Sequence, residues 1–92
     1  MPKLTARQVT TALNNIPGWK KKGGAIVRRF EFKKFPPAIK FVNGVAKIAE
    51  KEQHHPDIDI RWNKVTLLLT THDEGGLTEK DFRLAKKFDR LG

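Results

Sequence analysis

The sequence contains no cysteine among its 92 residues. This absence excludes disulfide bonds, thiolate metal sites and a cysteine nucleophile, and it fits a reducing compartment. The sequence also lacks any apolar run that approaches the roughly 18 residues needed by a membrane-spanning helix. The N-terminal residues Met1–Thr5 carry no apolar signal segment. We therefore expect a cytoplasmic protein that does not span a membrane.

Acidic residues are few: 10 Asp and Glu stand against 19 Lys and Arg, which gives a formal net charge of +9. Such an excess is typical of proteins that bind nucleic acid or another polyanion. Here the basic residues form scattered short runs, at Lys20–Lys22, Arg28–Arg29, Lys33–Lys34 and Lys86–Lys87. This scatter favours a solvated basic surface, and we do not expect specific nucleic-acid binding.

The chain length predicts a single domain over residues 1–92, because compact cores typically form in domains of about 100 to 150 residues. A domain of this size buries only roughly 60 to 65% of the surface that its unfolded chain exposes. Such a domain is marginally stable alone and gains stability from self-association. We therefore expect a homo-oligomer.

Local patterns predict the secondary structure of the first half. Thr5 as N-cap with Gln8 three positions later forms a capping box, so a first helix begins here and continues past Ile16 until Pro17-Gly18 stops it. The alternation in Trp19–Lys22 and Ala25–Lys33, joined by a Gly-Gly turn, predicts a hairpin.

A second helix, a second hairpin and a third helix follow. Pro36-Pro37 can open a helix whose apolar stripe runs from Ile39 to Ala49, and it must end before Pro56. Alternating residues then predict strands at Asp57–Trp62 and Val65–His72, and Thr78 with Asp81 forms a second capping box. The order αββαββα predicts an α+β fold: a four-stranded antiparallel sheet with three helices covering one face.

Three histidines are the residues best suited to chemistry. With an unperturbed pKa of about 6.5, His54, His55 and His72 can exchange protons near neutral pH, and antiparallel pairing can bring them together. Glu50 lies four residues before His54, so a continuous helix would let its carboxylate orient that imidazole.

Structural readings of the same residues stay open at this point. Adjacent His54 and His55 can simply cap the second helix, where an imidazolium suits the helix dipole. Asp81 can be only a helix cap, and Glu50 only a surface charge. A metal site is not expected, because no H-x₃-H or H-E-x-x-H spacing is present.

Three segments resemble the signature of the pterin-4a-carbinolamine dehydratases: Glu50–Pro56, Asn63–Val65 and Thr71–Asp81. The resemblance extends upstream to Gly18-Trp19 and Phe30–Phe35, and so covers nearly the whole chain. It implies an enzyme without a cofactor that removes water from 4a-hydroxytetrahydropterin and gives quinonoid dihydropterin.

The resemblance also implies the site. His54, His55 and His72 would be catalytic, with Glu50 and Asp81 supporting, and His54 or His72 is the expected acid. The three histidines would bind the pterin together with Pro56, Thr71 and Asp73. Family members form dimers or tetramers, and the alternative to an enzyme is a non-catalytic protein- or nucleic-acid-binding module on the same fold. The chain departs from the typical pattern in having Ile58 where an aromatic residue is common and Trp62 where a tyrosine is common.

Overall fold

The computed structural model describes residues 2–92. Its elements follow the order α1 (Ala6–Leu13), β1 (Lys20–Lys22), β2 (Ala25–Glu31), α2 (Phe35–Glu52), β3 (Asp57–Arg61), β4 (Lys64–Leu69), a 3₁₀ turn (His72–Glu74) and α3 (Glu79–Leu91). The four strands form one antiparallel sheet in the order β1-β2-β4-β3. The predicted αββαββα fold is confirmed.

The helices begin where their capping boxes predict. Thr5 with Gln8 caps α1, and Thr78 with Asp81 caps α3. Pro36 and Pro37 lie in the first turn of α2, where their missing N–H groups cost no helical hydrogen bond because the first N–H groups of a helix have no intrahelical partner.

Most predicted boundaries lie within one or two residues of those in the structure, and two were wrong by three residues. The first helix ends at Leu13 with Asn14 as its C-cap, although Ile16 is still buried in the turn that follows. Strand β4 ends at Leu69 and does not continue to His72, because Thr71 pairs with Gly76 across a tight loop that redirects the chain. The second difference matters for function, since it takes His72 out of the sheet.

The core lies between the sheet and the helices. On β4 the burial alternates strictly, so that Val65, Leu67 and Leu69 are buried while their neighbours are half-buried. These side chains pack with Ile26 and Phe30 of β2 and with apolar residues of all three helices. Burial of apolar surface is the main favourable term in folding, so this layer fixes the ends of α2 and β4 relative to each other. Among residues 2–92 no helix is long and apolar enough to cross a membrane.

Candidate active site

The chain leaves α2 through a left-handed residue. Gln53, the C-cap, has φ 54° and ψ 42°, and the backbone N–H of His54 donates to Ala49 O at 3.2 Å. A left-handed cap satisfies the last carbonyls of a helix and turns the chain sharply. His54 and His55 therefore lie just beyond the helix end.

The loop after β4 meets this helix exit. Thr71 and Gly76 exchange two backbone hydrogen bonds, and Gly75, with φ 74°, closes the 3₁₀ turn that begins at His72. The two segments border an open cavity of about 270 Å³, which is lined by Gln53, His54, His55, Thr70, Thr71, His72 and Asp73. All three histidines thus border one small cavity.

His54 forms the buried member of two carboxylate–histidine pairs. Its Nε2 lies 2.6 Å from Asp81 Oδ1, and the side chains of His54 and Asp81 are 12% and 0% exposed. Asp81 stands in the first turn of α3, where the helix dipole favours negative charge. The carboxylate therefore caps α3 and contacts the imidazole at the same time.

His55 forms the exposed pair. Its Nε2 lies 2.5 Å from Glu50 Oε2, and the two side chains are 55% and 74% exposed. The sequence placed Glu50 beside His54, on the assumption of a continuous helix. Because α2 ends at Glu52 and Gln53 is left-handed, His54 leaves the helical face and His55 meets Glu50 instead.

His72 differs from both. It is exposed, and within residues 2–92 its side chain makes no hydrogen bond to another protein group. Both of its ring nitrogens can therefore engage a molecule in the cavity. Over the same residues, no group of three or more His, Asp and Glu side chains is arranged to hold a metal ion.

The cavity includes five of the residues predicted to bind or act on the substrate: His54, His55, Thr71, His72 and Asp73. Pro56, Glu50 and Asp81 do not line it, and the last two instead contact the rings of its histidines.

Two cavity residues were missed by the sequence reasoning, Gln53 and Thr70. Thr70 could have been found, because it lies two residues before His72 and so shares that side of the predicted strand. Ile58 and Trp62 do not line the cavity, and Trp62 is 63% exposed.

A larger groove of about 590 Å³ separates α1 from α3, between residues that include Arg7, Phe82 and Arg83. It contains no histidine and no carboxylate–histidine pair. The smaller cavity is the candidate active site because histidine side chains can transfer protons, whereas size alone identifies no reaction.

Fold and geometry together define a class of protein: a small α+β fold with a cavity bordered by three histidines, two of which contact carboxylates. The family model for pterin 4 alpha carbinolamine dehydratase matches residues 2–91. The chain belongs to this family.

Two relatives match this chain over nearly its whole length. A protein of Thermomicrobium roseum with the curated name "Putative pterin-4-alpha-carbinolamine dehydratase" is 50% identical over 91 residues, 99% of this chain and 98% of that protein. A protein of Picosynechococcus with the same name is 53% identical over 89 residues, 97% of each chain.

Two solved structures share the fold. A Brucella melitensis protein described as a transcriptional coactivator/pterin dehydratase superposes with a TM-score of 0.93 at 38% identity, over 97% of each chain. A pterin dehydratase-like protein identified as a RuBisCO assembly factor in the alpha-carboxysome gives a TM-score of 0.68 at 23% identity, over 79% of this chain and 84% of its own. The similarity to the RuBisCO assembly factor is evidence for the fold alone.

Proposed function

We propose that this protein is a cytoplasmic dehydratase that removes water from 4a-hydroxytetrahydropterin and releases quinonoid dihydropterin, without a cofactor. The observation that carries the proposal is the cavity bordered by three histidines, two of which are held by carboxylates. Family membership supports a pterin as the substrate. The absence of cysteine fits a reducing compartment.

The reaction needs only proton transfers. The C4a–O bond breaks and its electron pair leaves with oxygen, which takes up a proton and departs as water. The adjacent ring nitrogen loses its proton, and its electrons form the new C=N bond. No covalent bond forms between the substrate and the protein other than the transfer of protons, so a positioned acid and a positioned base suffice, and each typically contributes about 10² to 10⁴ in rate.

We assign the base to His54 and the acid to His72. Asp81 occupies the Nε2 side of His54, which leaves Nδ1 to accept the proton from the ring nitrogen. His72 keeps both nitrogens available, so its protonated ring can donate to the departing hydroxyl. His55, held at the rim by Glu50, binds the substrate.

The decisive assay uses the wild-type protein on enzymatically generated 4a-hydroxytetrahydropterin, with and without a chelator. We expect turnover that the chelator does not change. His54→Ala and His72→Ala should each lower kcat by at least about 10²-fold while the thermal unfolding transition survives. Unchanged turnover in both variants would contradict the site assignment, and a chelator-sensitive rate would contradict a reaction without metal.

A binding module is the second candidate function. The excess of basic charge and the description of the Brucella relative as a transcriptional coactivator favour testing it. Binding to a generic DNA duplex that falls steeply as salt rises to about 150 mM would indicate only the solvated basic surface. Sequence-selective binding that resists salt, together with no dehydratase activity, would favour the module.

We also propose that the protein is a homo-oligomer that associates through β3. The two edges of the sheet differ: β1 presents three exposed lysines, which oppose pairing with another strand, whereas β3 exposes Ile58 and Ile60 at 38% and 40%. The two isoleucines share the core-facing side of the sheet with their partners on β4. They offer apolar surface to a second copy of the chain.

Sedimentation velocity tests the β3 interface. Ile58→Lys should convert the wild-type oligomer to a monomer, because it places a charge on the apolar edge. Lys21→Ala, on the opposite edge, is the matched control and should leave the sedimentation coefficient unchanged. A wild-type protein that is monomeric at high concentration, or an oligomer that survives Ile58→Lys, would contradict the proposal.

A further inference from the structure

The carboxylate of Asp81 is completely buried and accepts three hydrogen bonds. His54 Nε2 lies 2.6 Å from Oδ1, while the hydroxyl of Thr71 and the backbone N–H of Thr78 donate to Oδ2 at 2.8 and 2.9 Å. An ionised carboxylate is only an acceptor. In neutral His54 the proton must therefore be on Nε2, and Nδ1 is the nitrogen that can take up another proton.

The side chain of Thr71 is part of a directed chain of hydroxyl groups. A threonine hydroxyl has one hydrogen to donate, and that of Thr71 is directed at Asp81. In the 3.0 Å contact between Thr71 Oγ1 and Thr78 Oγ1, the hydroxyl of Thr78 is then the donor. Thr78 is fully buried, and no buried side-chain donor or acceptor in residues 2–92 lacks a partner.

We propose that Thr71 and Thr78 are positioning residues, which hold Asp81 so that the Nε2 proton and the ring orientation of His54 are fixed. The catalytic role of this orientation rests on the proposed dehydratase function. Sequence similarity predicted Thr71 as a residue that lines the pterin pocket. Thr71 borders the cavity, and its hydroxyl also donates to Asp81, the carboxylate that contacts His54.

Removing the hydroxyl of Thr71 tests the chain of hydrogen bonds. In Thr71→Val, Asp81 Oδ2 loses one of its two donors and the hydroxyl of Thr78 loses its acceptor, at nearly constant side-chain volume. The carboxylate can then rotate away from Nε2, and once Nε2 has lost this acceptor the Nδ1–H tautomer of His54 becomes accessible. We expect kcat to fall about tenfold with KM changed by less than about threefold, as loss of one hydrogen bond to a charged group implies.

The matched variants separate positioning from simple stability. Thr71→Ser keeps the hydroxyl and should restore kcat to within about threefold of the wild type. Thr66→Val makes the same change on β4, outside the cavity, and should leave kcat unchanged. Thermal unfolding of every variant shows which of them are merely destabilised.

Nitrogen-15 NMR of the histidine rings reads the tautomer of His54 directly and needs no turnover. We expect the Nε2–H tautomer in the wild type and in Thr71→Ser, and a mixture of tautomers in Thr71→Val. An Nδ1–H tautomer in the wild type would overturn the inference at once. So would a Thr71→Val protein that is less stable but keeps the wild-type tautomer and kcat.

Failure of the inference can be distinguished from failure of the proposed function. A wild-type protein without dehydratase activity but with the expected tautomer response would contradict the function and support the positioning network. If the wild-type protein is active but Thr71→Val leaves the tautomer of His54 unchanged, the result would support the proposed function and contradict the positioning network.

Discussion

The two carboxylate–histidine pairs have the same chemistry but opposite surroundings. His54 and Asp81 meet in the interior, where the carboxylate has no exposure, whereas His55 and Glu50 meet at the surface with both side chains more than half exposed. Asp81 has two further donors, from Thr71 and Thr78, while Glu50 is held by His55 alone among the side-chain contacts of residues 2–92. Only the buried pair has a geometry determined by the fold.

Burial changes what such a pair can do. In the interior, water does not compete for the carboxylate, so electrostatic interactions are stronger and an unpaired polar group is costly. At the surface, water and salt weaken the pair, and exposed ion pairs contribute little. The buried pair can therefore hold an imidazole in one orientation for proton transfer, whereas the exposed pair can adjust to a ligand.

The largest effect on kcat is expected from Asp81→Asn. The amide has one acceptor oxygen and directs an NH₂ group at a donor, so three donors compete for one atom and the tautomer of His54 is no longer fixed. We expect kcat to fall by about 10² to 10⁴, the range found when a positioned acid or base is disabled. The free energy of unfolding should fall by about 1 to 3 kcal/mol, because buried donors lose their partner.

Steady-state kinetics and urea unfolding of Asp81→Asn measure the two effects separately. The buried pair would lose its assigned importance if kcat stayed within about threefold of the wild type while the protein remained folded. A loss of stability without a loss of turnover would leave Asp81 as a cap of α3 only.

An intermediate effect on kcat is expected from Glu50→Gln, which makes the same change from carboxylate to amide in the exposed pair. We expect kcat to change by less than about tenfold and the free energy of unfolding to change by less than about 0.5 kcal/mol, because the pair is exposed. Raising the salt concentration should reduce the difference from the wild type, since salt screens surface charges. A loss of activity as large as that of Asp81→Asn would show that exposure does not separate the two pairs.

Much of the fold could be predicted from local sequence patterns. Both capping boxes and the end of the second helix before Pro56 depend on residues a few positions apart, and the alternation of Val65, Leu67 and Leu69 identifies the core face of β4. The exposure of β3 could not be predicted in this way. Its alternation is that of any half-buried strand, and its exposure follows from its place at the edge of the sheet.

The sequence predicted which residues form the site better than it predicted which carboxylate contacts which histidine. The sequence identified the histidines and both carboxylates, but it paired Glu50 with His54 because residues four apart share a helical face. The actual partner of His54 is 27 residues away in the chain. That contact depends on how α3 packs against the exit of α2, which local spacing cannot determine.

The smallest effect on kcat is expected from Glu52→Gln, which changes a third carboxylate, at the end of α2. Glu52 contacts no histidine: it accepts a hydrogen bond from Lys87 at 2.6 Å and lies 3.8 Å from Arg83, both on α3. The hydrogen bond from Lys87 is the main reason that the pKa of Glu52 lies below its usual 4.5. A carboxyl group with a lowered pKa stabilises the folded state above its unfolded-state value, and this stabilisation is lost as the pH falls through the folded-state pKa.

Urea unfolding at pH 7 and at about pH 3 measures this contribution. The wild type should exceed Glu52→Gln in stability at pH 7, and the difference should shrink at the acidic pH, because protonation of Glu52 removes the stabilisation that its carboxylate provides. Turnover at neutral pH should be unchanged, because Glu52 lies outside the cavity. If Glu52→Gln lowered kcat as far as Asp81→Asn does, any carboxylate at this helix end would matter for turnover, and contact with a histidine would not be what distinguishes Asp81.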